Sequence, residues 1–228
     1  MAQPTSLATD GPTDAAAWRH ETRARLLAAR DSLPLHARRK KDDRITASLL
    51  ACFEPLALSV VGAYTPLHGE FDPLRALEVW HAWGARILLS CGSPSRAPAQ
   101  TRWRQRIEPV GEVPPGKLPI PDALLVPATG FDEQGYRLGY DYGCSDPMLA
   151  RHDPRPLTIC ATYELGRLEA IHPRPEDMPM HFIVTEQGVY EVTERGLRTI
   201  PHPIDAAAAA ARILTARAKR PVPARAFV

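Results

Sequence analysis

Cysteine pairs at metal-binding spacing are missing from this sequence. Its four cysteines, Cys52, Cys91, Cys144 and Cys160, lie far apart with no CxxC pair, which argues against a zinc ribbon. The longest apolar run falls far short of the ~20 residues a membrane span needs. Residues 1–14 (MAQPTSLATDGPTD) have neither the charged nor the apolar region of a signal peptide. The expectation is a cytoplasmic protein with reduced thiols and no membrane partner. Several catalytic signatures are absent too. There is no GxSxG elbow for a serine nucleophile, no HxxxH pair among the eight histidines, no GK[ST] ending for a P-loop and no GxGxxG dinucleotide fingerprint. A formal charge of +2 gives no overall signature of a polyanion binder. The one cluster of Trp and Arg, TRWRQR at 101–106, falls below the interleaving of a nucleic-acid interface, so no nucleic-acid partner is expected.

What the chain does have is enough apolar material for a core: 228 residues, 44% of them hydrophobic. Residues 15–32 are rich in helix formers, with Asp14 a candidate N-cap and Pro34 a stop. A second helix is predicted over about 34–53, with Ile45, Leu49 and Leu50 facing inward. ALSVVGAY (57–64) reads as a buried strand. Asp72 and Pro73 open a helix that ends at Gly84. ARILLS (85–90), ALLVPA (123–128) and LTICATY (157–163) are short apolar runs without alternation, as strands covered on both faces require. HFIVTE (181–186) and GVYEV (188–192) are joined tightly enough for a hairpin. This order predicts an α/β fold in three layers, α/β/α, with a mostly parallel central sheet and an antiparallel edge hairpin. Residues 91–121 read as a long surface loop. The simplest organisation is a tail over 1–14, a single domain over 15–204, and an Ala-rich helix with a basic tail over 205–228.

Ligands of parallel α/β sheets gather outside the carboxyl ends of the strands. That rule singles out three loops: TPLHGEFD after the first strand, TGFDEQGYRLGYDYGCSD after the third, and ELGRLEAIHPRPEDMPM after the fourth. In the second, Gly135, Gly139 and Gly143 recur every four residues beside Arg137, a pattern open to a phosphate cradle or to plain turns. Residues 19–44 hold nine Lys or Arg against four Asp or Glu. Arg19 and Arg23, four apart, share a helix face and suit either solvent or an anion. Glu70, Asp146 and Asp177 are candidate carboxylates for orienting a substrate or holding Mg²⁺. His68 stands beside Gly69 and Glu70. Cys144 and Ser145 have no base placed near them by sequence.

Taken together, R19xxxR23, GAYTPLHGEFD, RIEP (106–109), LLVPATGFDEQGYRLGY and YELGRLEAIHPRPEDMPMHFIVTE come in an order that resembles the 5-formyltetrahydrofolate cyclo-ligase family, also called methenyltetrahydrofolate synthetase. The resemblance spans about residues 18–192. It implies an ATP- and Mg²⁺-dependent enzyme, monomeric or weakly homo-oligomeric, that phosphorylates the formyl oxygen of 5-formyltetrahydrofolate and closes the ring to 5,10-methenyltetrahydrofolate. By position, the resemblance puts Arg19, Arg23, Arg137, Gly139 and Gly143 at the nucleotide, Glu70 and Ser145 at the folate, and Asp146 and Asp177 near Mg²⁺. Arg137 and Asp146 would serve the chemistry. After RLG the family reads a glycine-rich run ending G-Y-Y-D-R, whereas this chain reads YDYGCSDP at 140–147. The substitutions leave a second reading open: a paralogue with lost or altered activity that binds a folate, a nucleotide or a partner protein.

Overall fold

The structure, a computed structural model, describes residues 15–67, 69–91, 102–105, 120–139 and 154–219, and of 90–91 and 102–105 the backbone alone. Among the described residues, four α-helices, α1 (Ala15–Asp31), α2 (Leu35–Phe53), α3 (Leu74–Ala82) and α4 (Pro203–Ala218), accompany eleven strands. These are β1 (Val60–Tyr64), β2 (Arg86–Cys91), β3 (Arg102–Gln105), β4 (Ala123–Pro127), β5 (Gly130–Asp132), β6 (Arg137–Leu138), β7 (Leu157–Ala161), β8 (Arg167–Leu168), β9 (Phe182–Val184), β10 (Val189–Thr193) and β11 (Gly196–Ile200). The expected cap Asp14 and the segments 1–14 and 220–228 lie outside the described residues.

The central sheet has the order β11-β10-β9-β7-β4-β1-β2-β3. Its five middle strands, β9, β7, β4, β1 and β2, run parallel, and both edges are antiparallel. The predicted mostly parallel sheet with an antiparallel edge hairpin is what forms. Alternate residues of the middle strands enter opposite cores, which is why their sequences are apolar throughout. Leu125, Ile159, Phe182 and Val184 pack with Ile45, Leu49 and Phe53 of α2, Leu77 and Trp80 of α3 and Ala206 and Ala210 of α4. Leu124, Val126, Cys160 and Ile183 pack on the other side against Phe131 and Met180. That second face is covered by a small sheet, β6-β5-β8, and α1 lies on it through Leu26, which meets Leu138, Leu168 and Ile171. Three layers result, the third built from strands as much as from helix.

Several boundaries move for local reasons. β1 begins at Val60 rather than residue 57 because Glu54–Leu56 form a 3-10 turn and Ala57 takes a left-handed φ of 46°. Asp72 caps α3 as expected, its Oδ1 accepting the Leu74 N–H at 2.9 Å. The span read as a long loop contains β3, antiparallel to β2. The edge hairpin gains β11 after a turn at Gly196. Cys52 and Cys160 are buried, and burial pushes the Cys52 thiol up to about 11. No helix among the described residues is long and apolar enough to cross a membrane.

Two features give quantitative expectations. Gly135 turns the β5–β6 hairpin at φ +79°, and a Cβ there would stand 2.4 Å from Val192 Cγ2. Gly135→Ala therefore combines backbone strain with overpacking and should cost about 2–4 kcal/mol in urea unfolding; a loss below about 1 kcal/mol would show that the turn relaxes freely. His181 Nδ1 accepts the Thr158 N–H at 2.9 Å, so the ring must be neutral. Burial first, and the nearby Arg155 charge second, bring its pKa down from 6.5 to about 4. The unfolded chain binds the proton more readily, so this stability is complete above pH 6.5 and is lost as pH falls towards 4. His181→Gln, which keeps an acceptor, should flatten the unfolding free energy across that window by about 2 kcal/mol relative to the parent; parallel pH profiles would contradict the assignment.

Candidate active site

Helix α1 buries its charged face. At 100° per residue, Arg19, Arg23 and Arg30 fall within about 40° of one another, and with Thr22 and Leu26 they form the buried side of the helix. Their exposures are 5%, 7% and 1%. An ordinary surface helix places such residues in water. This one lays them across the carboxyl ends of the parallel strands, where they meet the segments that leave β4 and β7.

Arg23 meets the segment after β4. Its Nε donates to the Gly139 carbonyl at 2.9 Å. The motif VPATGFDEQGYRLG is consumed in building this hairpin. Phe131 fills the second core. Asp132 Oδ1 accepts the N–H groups of Gln134 and Tyr136, and its Oδ2 accepts that of Ile171. Burial nonetheless raises the Asp132 pKa, the three N–H donors opposing it. Arg137 folds back so that Nη1 lies 3.4 Å from the Pro127 carbonyl. A Cβ on Gly139 would stand 2.6 Å from the same Nη1, so the missing side chain is what admits the guanidinium. Arg23 and Arg137 thus flank Gly139.

Arg19 meets the segment after β7. It pairs with Asp177 at 2.9 Å, both side chains under 10% exposed, and Nη1 lies 3.4 Å from the His172 carbonyl. Asp177 Oδ2 also accepts the Arg174 N–H. The start of this segment is pinned from beneath: Tyr163 donates to Asp42 at 2.6 Å, Lys41 pairs with Glu186, and Glu186 Oε2 accepts the Glu164 N–H. Burial, opposed by the Tyr163 hydroxyl, raises the Asp42 pKa.

Arg30 meets both the β4 end and the β1–α3 loop. Its Nη2 donates to the carbonyls of Ala128 at 2.7 Å and Thr129 at 3.2 Å, and its guanidinium carbon sits 5.7 Å from the Tyr163 ring centroid. In the β1–α3 loop, a Cβ on Gly69 would come 3.6 Å from Arg30 Cδ. The next residue, Glu70, is buried, its Oε2 accepting the Leu67 N–H at 2.8 Å.

All three loops chosen from sequence therefore converge on one helix face. Of the candidate residues, Arg19 and Asp177 form a pair, Arg23, Arg137 and Gly139 form a second group, and Glu70 lies one residue from the contact with Arg30. Gly135 is a turn residue packed on Val192. Gly143, Asp146 and Ser145, with His68 and Cys144, lie outside the described residues. Among the described residues no group of three His, Cys, Asp or Glu side chains could hold a metal ion, and Asp177 already serves Arg19. Three buried arginines on one face make a donor set suited to an anion. The sequence reading missed Arg30, although its spacing of eleven from Arg19, three helical turns, was available to find it. A cavity of about 420 Å³ opens at the opposite end of the sheet, where its charged lining residues Asp122 and Arg217 are paired with each other at 3.3 Å.

The Arg19–Asp177 pair is buried, so removing one partner strands the other's charge. Asp177→Ala should destabilise the protein by about 3 kcal/mol in urea unfolding, and a change under about 0.5 kcal/mol would mean that the pair is effectively solvated.

No protein-family model and no curated protein matches the chain. Solved structures do. One is a 5,10-methenyltetrahydrofolate synthetase from Mycoplasma pneumoniae, with a TM-score of 0.64 and 19% identity over 74% of this chain and 98% of that one. Another is the 5,10-methenyltetrahydrofolate synthetase of Aquifex aeolicus, with a TM-score of 0.62 and 22% identity over 81% of this chain and 96% of that one. At these identities the likeness is one of fold: the chain has the fold of these two synthetases.

Proposed function

We propose that the protein is an ATP-dependent cyclo-ligase that converts 5-formyltetrahydrofolate to 5,10-methenyltetrahydrofolate. The observation that carries this reading is the row of buried arginines across the carboxyl ends of the strands, in a chain with the fold of two methenyltetrahydrofolate synthetases. A formamide oxygen is a poor leaving group. Transfer of the terminal phosphoryl group of ATP to it forms an O–P bond while ADP departs with the electron pair of the broken bond. The neighbouring nitrogen of the folate then attacks the activated carbon and loses its proton, and phosphate leaves. Such chemistry asks the protein mainly to position two ligands and offset phosphate charge.

In this reading Arg19 and Arg23 hold the nucleotide phosphates, Arg137 and Gly139 shape the start of the nucleotide loop with Gly143, Glu70 faces the folate, and Ser145 lies by the formyl group. Asp177 orients Arg19. Asp177 Oδ2 is engaged by Arg19 and the Arg174 N–H, so a direct contact with Mg²⁺ would be made by its Oδ1. Asp146 is the remaining carboxylate proposed for the ion. Mg²⁺, arriving with ATP, would supply further neutralisation of phosphate charge. The sequence at 140–147 favours a second reading, a paralogue that binds without turnover, because Asp141 adds a negative charge and Tyr142 adds bulk beside the nucleotide positions.

The test is to mix the protein with 5-formyltetrahydrofolate, ATP and Mg²⁺ and follow the absorbance of the methenyl product. The proposal predicts ATP-dependent formation, with Arg19→Ala raising the KM for ATP at least about tenfold. No product at high protein concentration, with calorimetry still detecting nucleotide or folate, would establish the second reading instead.

A further inference from the structure

Among the described residues, Arg30 differs from Arg19 on the same α1 face in having no carboxylate partner. Its side chain is 1% exposed, and a guanidinium stays protonated at any ordinary pH. Nη2 is satisfied by the Ala128 and Thr129 carbonyls. Nε and Nη1 are buried with no hydrogen-bond partner. Among the described residues no carboxylate lies within ion-pair distance of Arg30, whereas Arg19, on the same face, has Asp177. Buried charges are ordinarily paired and buried N–H groups ordinarily bonded. A structural tie between α1 and the β4 end would need only Nη2, and that nitrogen already makes it.

We propose that Arg30 is a ligand-binding residue whose Nε–H donates to a phosphoryl oxygen of the molecule seated at the carboxyl ends of β4 and β7. Nε–H points away from Cδ whereas Nη1 lies on the Cδ side, so the two face different directions and each is a single charge-assisted donor suited to one phosphate oxygen. The position supports that choice of ligand. Arg30 stands beside Gly69, next to Glu70 on one side, and on the other holds the Ala128 and Thr129 carbonyls from which the β5–β6 hairpin with Arg137 departs. The inference deepens the cyclo-ligase reading and rests on it for the identity of the phosphoryl group. Between a folate-facing Glu70 and the nucleotide loop, that group is the one passing from ATP to the formyl oxygen. Arg30 would offset the charge on its oxygens as the new O–P bond forms and the bond to ADP breaks.

The experiment uses the whole protein and reads the arginine Nε–H resonances of ¹⁵N-labelled wild type, with Arg30 assigned through its backbone. Inorganic phosphate and ATP are added separately, each to saturation. The proposal predicts a shift of the Arg30 Nε–H signal with both, and a dissociation constant for ATP at least about tenfold weaker in Arg30→Lys, which keeps the charge but loses the Nε–H donor and the planar guanidinium. With turnover established, Arg30→Lys should lower kcat while leaving the KM for 5-formyltetrahydrofolate within about twofold. A resonance unmoved at saturation, or an Arg30→Lys variant that binds ATP as tightly as the parent, would overturn the proposal. Because the wild-type spectra decide, a variant that fails to fold leaves the test intact. The binding arms also need no turnover: a protein without cyclo-ligase activity but with a shifted Arg30 signal loses the reaction and keeps the site, and an active protein with an unmoved signal does the reverse.

Discussion

Burial of the α1 arginine face is the constraint on which the rest of the site depends. Taking three guanidiniums out of water is costly unless each finds oxygen. In this fold the oxygen comes from two chain connections: from the one after β7, Asp177 for Arg19, and from the one after β4, the Gly139 carbonyl for Arg23 and the Ala128 and Thr129 carbonyls for Arg30. Parallel strands leave their connections far apart in sequence but adjacent in space. One helix crossing their carboxyl ends can therefore bind both together. The same contacts that fix the loops also gather positive charge where such sheets receive ligands.

A second set of polar contacts keeps that arrangement rigid from below. Tyr163 reaches Asp42, Lys41 reaches Glu186, and Glu186 returns to the Glu164 backbone. Glu164 Oε2 in turn accepts from Thr185 at 2.7 Å. These bonds tie α2 to the ends of β7 and β9, so the floor under Arg30, which includes the Tyr163 ring, is itself held in place. Buried polar networks of this kind are stabilising only when their members are satisfied. Three nitrogens buried without a hydrogen-bond partner, Nε and Nη1 of Arg30 and Nε of Arg19, belong to the helix face that the proposed ligand would meet.

Much of the architecture is legible in the sequence because strands covered on both faces are written as uninterrupted apolar runs, and ALLVPA, LTICATY and ARILLS are such runs. The choice of loops follows from strand direction alone. Elements stabilised by tertiary context are not legible. β5, β6 and β8 are two or three residues long, too short for any periodicity, and exist because Asp132 and Phe131 anchor them. β11 hides in the polar stretch RGLRTI, since it lies at the sheet edge. Arg30 ends an Ala-rich turn beside Asp31 and reads as a solvated charge until its register with Arg19 is counted. The ion pair that engages Asp177 joins residues 158 apart in sequence, beyond the reach of any local pattern.

The central claim is that this arginine face is the floor of a nucleotide and folate site. A crystal structure of the protein with a non-hydrolysable ATP analogue and 5-formyltetrahydrofolate tests it most directly. The account predicts phosphate oxygens within about 3.2 Å of nitrogens of Arg19, Arg23 or Arg30, with the folate on the Glu70 side. Ligands bound elsewhere, for instance in the cavity beside Asp122 and Arg217, while all three arginines keep only their internal partners, would contradict it.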